Sequence, residues 1–380
     1  METSSPDCVP SMASRGRIFI PQLLSSRDIK VYPINEIDQK IFAGSPSLGA
    51  LFILCQIYLI IILMNKAFDY LNFIKRLVSF SPRQLDGETK AANFIIDLLK
   101  NNNIQYCLDY FFTFIPKIEE AVLMADKKII PCQGCSFIGG EIKDKDYIIS
   151  SLIFTGFFID KPNINFNPKC PGISLSTFYP TPAVAISPKS LPLILKAKKV
   201  YGKVEVRKVK HKAVNILVGN MNNPKTIIFA HYDSINAGAI DNASGVAVIT
   251  SIILERRFLN DNLFVYSANE ELSYDFPIYW GYGFRVFEKR YYKLLSKAKK
   301  ILVVDSVGHS QTKIFRDETL MKLAFPINNL QKLKNKILVF SGEDLDNLFK
   351  VYHSNLDLPK GIKLKFLQDA KECVSKEMIK

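Results

Sequence analysis

Three apolar runs, each stopping at a polar residue capable of chemistry, constrain this chain more than any other feature. KTIIFAHYDS leads to His231 with Asp233 two positions on, NLFVYSANEEL leads to the adjacent pair Glu270 and Glu271, and ILVVDSVG leads to Asp305. A strand buried on both faces of a parallel sheet reads as a continuous apolar run, so 226–230, 263–267 and 301–304 are expected as central strands of an α/β fold. In open α/β sheets, functional groups collect beyond the carboxyl ends of such strands. Two further contexts join these. GAIDNASG sets Asp241 among small residues ahead of an apolar helical pattern, and VYHSNLD supplies His353.

The chain can bury a core of the size this needs. Its 380 residues, 48% hydrophobic and 23% charged, are globular in composition and long enough for two domains or one large domain with an insertion. A formal charge of +14 raises the question of a nucleic-acid or membrane-surface partner. The Lys and Arg residues are spread out, however, and the denser stretches 196–212 and 289–300 read as solvated faces. No groove-reading motif accompanies them, so the expected partner is a peptide substrate and not nucleic acid. Seven scattered cysteines argue against a disulfide framework, and Cys132 and Cys135 form a lone CxxC that reads as structural thiols.

Along the chain, 1–47 is expected to be a disordered tail. The segment 48–64, LGALFILCQIYLIIILM, is nearly all apolar and at the short limit for a membrane span. It has two readings: a membrane anchor, whose orientation the positive residues on both sides leave open, or a stretch ahead of a true start at Met64. The first reading implies a membrane-anchored protein and the second a cytoplasmic one. A catalytic domain is expected over 65–115 and 211–380. Between them, 116–210 breaks into short apolar runs punctuated by Pro and Gly, which reads as an inserted β-rich module.

Each polar position has an ordinary structural explanation when taken alone. Asp241-Asn242 ahead of an apolar run would serve as a helix cap, and a lone histidine is usually a hydrogen-bonded structural residue. Of the four histidines, His211 lies in the basic stretch KVKHKAV and is expected at the surface, while His309, four positions after Asp305, reads as a loop residue with the pocket as its other reading. Taken together, His231, Asp241, the Glu270-Glu271 pair, Asp305 and His353 form a set suited to zinc, with cobalt or manganese as substitutes, and no nearby cysteine points to a closed structural site. A carboxylate shared between two ions about 3.5–4 Å apart is the arrangement of two-metal hydrolases, which activate water near neutral pH. The adjacent glutamates can divide the work between a ligand and a proton acceptor.

AHYDS, GAIDNASG, NEE, VVDSVG and VYHSNLD together resemble the co-catalytic di-zinc aminopeptidase family, which includes bacterial leucyl aminopeptidase and, more distantly, glutamate carboxypeptidase and glutaminyl cyclase. The resemblance runs over 67–380 and is strongest over 225–308. It implies a mixed, mostly parallel sheet sandwiched by helices, with a protease-associated-like insertion at 116–210. It also implies that His231 and Asp305 hold one Zn²⁺, Glu271 and His353 the other, and Asp241 bridges them. Glu270 would then be the general base and Asp233 the residue that orients His231. The implied activity is removal of N-terminal residues from peptides by a two-zinc-activated water. Relatives with nearly the same ligands point to a carboxypeptidase, an amidase or a glutaminyl cyclase as alternatives, and relatives that lost the metal point to a non-catalytic receptor. The chain departs from the family in the aromatic stretch LSYDFPIYWGYGFRVFEKRYY, where Tyr279, Trp280, Tyr282 and Phe284 are candidates for shaping a substrate pocket, together with His309.

Overall fold

Two unusually long antiparallel strands tie the fold together, and the alternation in their sequences explains where they lie. The computed structural model describes residues 68–145, 147–152 and 159–379, so the apolar segment 48–64 and the tail before it lie outside the described residues. Among the described residues no helix is long and apolar enough to cross a membrane. Strand β1, Tyr106–Ala125, pairs with β8, Val200–Gly219, from Tyr106 opposite Val218 to Ala125 opposite Val200, with an irregularity between Ile118 and Glu120. Between the two come β2 (Lys128–Ile129), β3 (Cys132–Gly134), β4 (Gly140–Ile142), β5 (Ile148–Ser150), β6 (Asn163–Phe166) and β7 (Ala183–Ile186). Strands β3, β7, β6 and β5 form a separate four-stranded sheet in that order.

The boundaries read at 116 and 210 fall inside this ribbon, where Pro116 pairs with Lys208. One end of the β1–β8 pair belongs to the central sheet and the other carries the small sheet. Residues Tyr70–Lys380 fall in one compact unit.

The remaining strands are β9 (Thr226–His231), β10 (Asn262–Ser267), β11 (Lys300–Val304), β12 (Thr312–Phe315) and β13 (Ile337–Gly342). The central sheet runs β12-β13-β11-β9-β10-β8-β1-β2, with β4 also on β8. Its middle, β13, β11, β9 and β10, is parallel, and antiparallel strands flank it on both sides. Every residue of β9, β10 and β13 is buried. This is the burial that a continuous apolar run dictates, because helices cover both faces of a parallel sheet. The helices Tyr70–Val78, Gly245–Leu254 and Leu364–Ile379 pack together. The helix Tyr282–Lys297 joins a cluster with Ile227 and Phe229 of β9 and Ile301 and Val303 of β11.

Phe229 anchors that second cluster. Its ring lies 5.7, 5.1 and 4.8 Å from those of Phe284, Phe287 and Phe325, and its side chain is fully buried. Removing it leaves a cavity that three rings cannot collapse into without breaking their own contacts. Phe229→Ala is expected to destabilise the fold by about 3–5 kcal/mol in chemical denaturation. A loss below about 1 kcal/mol would mean that this layer is not closely packed.

Candidate functional site

The carboxyl ends of three parallel strands converge on one cluster. Strand β9 ends at His231, β10 is followed by Glu270 and Glu271, and β11 is followed by Asp305. Asp241 stands between β9 and the helix Gly245–Leu254 with φ −111° and ψ 91°, outside the helical region. Its neighbour Asn242 provides the capping that an Asp-Asn pair suggests. The Asn242 side-chain oxygen accepts from Gly245 N at 3.0 Å, and its amide donates to the Val304 carbonyl at 2.8 Å. A Cβ at Gly245 would come within 2.5 Å of that same carbonyl, so the close approach of helix to strand requires glycine here. His353 arrives from a loop after the helix Leu345–Phe349, with φ 49° and its ring stacked on Tyr352 at 3.7 Å.

The distances bring the predicted ligands together in two groups that share Asp241. His231 Nε2 lies 3.2 Å from Asp241 Oδ1 and 3.7 Å from Asp305 Oδ1. His353 Nε2 lies 2.7 Å from Glu271 Oε2 and 3.5 Å from Asp241 Oδ2. In each of the sets His231, Asp241, Asp305 and Asp241, Glu271, His353, potential ligand atoms lie within 4.8 Å of one another, and so do those of His231, Glu270 and Glu271. His353 Nδ1 faces the Leu175 carbonyl at 3.1 Å, which fixes the proton on that nitrogen and leaves Nε2 for a ligand. Glu271 Oε1 is buried without a hydrogen-bond partner, and with its proton on Nδ1 the lone pair of His353 Nε2 faces carboxylate oxygens. Orphaned buried acceptors are costly, and a cation would satisfy both.

Electrostatics point the same way. Burial pushes Glu270 well above the usual carboxylate range, reinforced by Glu271, Asp233 and Asp305 against the opposing pull of His231. Burial likewise pushes Glu271 up to about 7. For His231, burial alone would lower the imidazole, but Glu270 and the carboxylates of Asp233, Asp241 and Asp305 outweigh it and raise it well above its ordinary value. His353 is raised in the same way by Glu271 and Asp241. Asp241 moves in the opposite direction: burial is overcome by the two imidazoles, which hold it below the carboxylate range. Without a cation, the surplus of carboxylates retains protons.

Three buried charged residues that the sequence reading passed over hold these ligands in place. Asp357 accepts from Ile240 N at 2.8 Å and Asp241 N at 3.1 Å, and burial pushes it up to about 7. Arg83, fully buried, donates to the Tyr232, Ala237 and Gly238 carbonyls at 2.6, 3.1 and 2.9 Å, and so shapes the loop after His231. Glu88 accepts from Asn269 N at 3.2 Å and faces His211 Nε2 at 3.1 Å. His211 is therefore buried and paired, where a surface position was expected. Its outward-facing neighbours Lys210 and Lys212 masked a strand alternation that turns His211 inward. Asp357 was visible in VYHSNLD as a further carboxylate, whereas Arg83 and Glu88 carried no local signal. Asp233 lies 3.4 Å from His231 Nδ1 and also accepts from Glu270 N at 3.0 Å and Glu271 N at 2.9 Å.

Beside the cluster opens a cavity of about 140 Å³. Tyr279 and Trp280 line it, as do Ser176 and Thr177 from the β-rich segment and the apolar side chains of Phe315, Leu323, Val339 and Phe349. Tyr282 and His309, also candidates, do not line it. Tyr282 opens the helix Tyr282–Lys297 and packs edge-on against Phe111 at 5.7 Å. His309 is held aside by the Asp344 carbonyl at 3.1 Å, and Phe284 belongs to the core.

Residues 214–332 match the family described as Peptidase family M28. Over that segment the chain is similar to the M28 peptidases. Its fold is that of a zinc aminopeptidase from Bacillus subtilis, with 16% identity over 82% of this chain and 93% of that one at a TM-score of 0.61. It also matches a Peptidase M28 precursor from Shewanella amazonensis, with 15% identity over 83% and 94% of the two chains at a TM-score of 0.56. An aminopeptidase from Aneurinibacillus sp. aligns at 15% identity over 81% and 93%, with a TM-score of 0.51. No curated protein matches the sequence. The segment matched by the family contains His231, Asp241, Glu270, Glu271 and Asp305, and His353 lies beyond it.

Two outcomes test this geometry. Asp357→Ala removes both acceptors from the Asp241 turn and is expected to weaken metal binding by about 10–100-fold in a chelator competition, with the fold retained by circular dichroism. A cation must also displace protons from His231 and His353, both raised, and from Glu271, which holds its own up to about 7. Affinity is therefore expected to rise with pH between roughly 6 and 8, with protons released on binding. Calorimetry in two buffers of different ionisation enthalpy measures that release, and its absence would mean the ligands are already deprotonated.

Proposed function

We propose that this metallopeptidase is an aminopeptidase that removes N-terminal residues with bulky apolar side chains, using two zinc ions. The observation that carries this reading is an apolar cavity opening directly beside a cluster of buried carboxylates. Among the described residues lining that cavity there is no Lys or Arg. Such a site attracts a substrate ammonium and repels a terminal carboxylate, which favours aminopeptidase over carboxypeptidase action. The apolar part of the lining, with Phe315, Leu323, Val339 and Phe349, suits a side chain such as that of leucine or phenylalanine.

His231 and Asp305 would hold one ion, Glu271 and His353 the other, and Asp241, whose two oxygens face the two imidazoles, would serve both. Cobalt or manganese can replace zinc in a site of this composition. Bound zinc supplies a Lewis acid toward the scissile carbonyl and acidifies nearby water. Glu270 does the proton work. Once bound cations offset the neighbouring carboxylates and Glu270 is ionised, its buried carboxylate would accept a proton from the attacking water and give it up to the departing amine nitrogen. Asp233 fixes both glutamates by accepting from their backbone amides. Trp280, whose indole nitrogen donates to the Leu323 carbonyl at 3.1 Å, holds two parts of the cavity wall together.

Glu270→Gln is expected to leave bound metal nearly intact while kcat falls by about 10²-fold or more, because the base is lost and the ligands are not. Metal loss together with activity would exchange the roles of Glu270 and Glu271. A panel of aminoacyl chromogenic substrates should rank leucyl and phenylalanyl above glutamyl and lysyl, with hydrolysis sensitive to chelators. No chelator-sensitive hydrolysis, or cleavage only of C-terminal residues, would overturn the assignment.

A further inference from the structure

The outer face of the β1–β8 ribbon carries a regular array that the peptidase chemistry does not use. Tyr110, Phe112 and Phe114 point outward on β1 and are 41%, 58% and 43% exposed. Alternation along a strand should place polar residues at such solvent-facing positions, so three consecutive outward aromatics are unexpected. On β8 the outward positions are Lys208, Lys210 and Lys212. Each ammonium sits over one ring: Lys212 over Tyr110 at 4.1 Å, Lys210 over Phe112 at 4.4 Å and Lys208 over Phe114 at 4.7 Å. Among the described residues none of the three lysines has an ion pair with a carboxylate. The face continues through Tyr274, whose ring also lies under Lys208 at 4.6 Å and whose backbone amide donates to the Phe114 carbonyl at 2.9 Å. Beyond it stands Phe276, 49% exposed.

We infer that this face docks on an anionic lipid bilayer. Exposed aromatic rings interleaved with unpaired lysines match the headgroup region, where rings occupy the boundary between apolar and wet and ammonium groups meet lipid phosphates. Single-stranded nucleic acid would also bring phosphates, but its bases need free ring faces for stacking, and here a lysine covers each ring. Alternation on one strand sets the three aromatics on the same side, so all three can meet one surface. The docking concerns the ribbon alone and is independent of the peptidase assignment. Because Tyr274 and Phe276 lie on the same loop as Tyr279 and Trp280, docking sets the cavity beside the membrane surface.

The test places a reporter on the face itself in the full-length chain. Phe112→Trp adds a second tryptophan to Trp280, the one present in the sequence. With vesicles of phosphatidylcholine and phosphatidylserine, the added fluorescence should shift to the blue and be quenched by brominated acyl chains. It should not respond to phosphatidylcholine alone. A lysine near an anionic surface contributes about fivefold in partitioning, so Lys208→Glu, Lys210→Glu and Lys212→Glu combined should weaken the response by at least about 100-fold. Lys→Gln at the same positions should weaken it less, with peptidase activity on soluble substrates unchanged in both. An unshifted reporter on vesicles overturns the inference, even if the chain sediments with lipid through another segment. So does an equal response to neutral vesicles, or a response to oligonucleotide in place of lipid.

Discussion

Everything in this fold serves the burial of several carboxylates in one place. Asp233, Glu270, Glu271 and Asp241 are all nearly inaccessible, and Asp305 is partly so. Like charges in a medium of low dielectric repel strongly, and such a cluster persists only where hydrogen-bond donors and cations hold it. The chain meets part of this need with its own backbone: the amides of Ile240, Asp241, Glu270 and Glu271 all point at carboxylates. The remainder falls to the imidazoles and to a cation, which would satisfy the unpartnered Oε1 of Glu271. A site built this way is under-satisfied by design, since full satisfaction by protein donors would leave no affinity for metal.

The β-rich segment is part of the site and not an appendage. The Leu175 carbonyl fixes the tautomer of His353, Leu175 N donates to the His353 carbonyl at 3.0 Å, and Ser174 bridges to Ser354. The long β1–β8 ribbon makes this possible, because it carries the small sheet out from the central sheet as a rigid pair and allows the connecting segments to reach the mouth of the cavity. Phe178 N donating to the Tyr279 hydroxyl at 3.0 Å adds a second tether between the segment and the aromatic loop after Glu271. His353, the member of the cluster farthest along the chain, is thus oriented by residues nearly two hundred positions earlier.

The parts of this arrangement legible in the sequence are those with a local physical signature. Continuous apolar runs announced β9, β10 and β11, and the polar residues that ended them fall together in one buried cluster. The same logic failed for His211, where basic neighbours suggested solvent while strand alternation turned the ring inward to Glu88. It failed again for Tyr282, because nearness in sequence to a site residue does not decide which way a side chain points; His309 takes the loop position that was its first reading. The aromatic stretch split accordingly: Tyr279 and Trp280 face the cavity, and two positions later the onset of a helix points Tyr282 to Phe111. Pairings across long sequence separations leave no periodic trace, which is why Arg83 and Glu88 emerge only in three dimensions.

Arg83 shows what the segment before β1 contributes, although it offers no ligand. Within six positions, three side chains reach two separate loops of the site: Arg83 to the turn after His231, Gln84 to Asp233 at 3.2 Å, and Glu88 to Asn269. Arg83 is fully buried and its guanidinium donates to backbone carbonyls, with no carboxylate in contact, so burial lowers its pKa to about 10 and still leaves it charged at neutral pH. A permanent positive charge beneath a nest of carboxylates contributes attraction without competing for metal, because guanidinium has no lone pair to offer an ion. A lysine there would have fewer donors for the same carbonyls and would lose its proton more readily when buried. The position thus requires a cation that can hold several carbonyls at once, keep its charge when buried and never bind the metal itself, and arginine is the side chain that meets all three conditions.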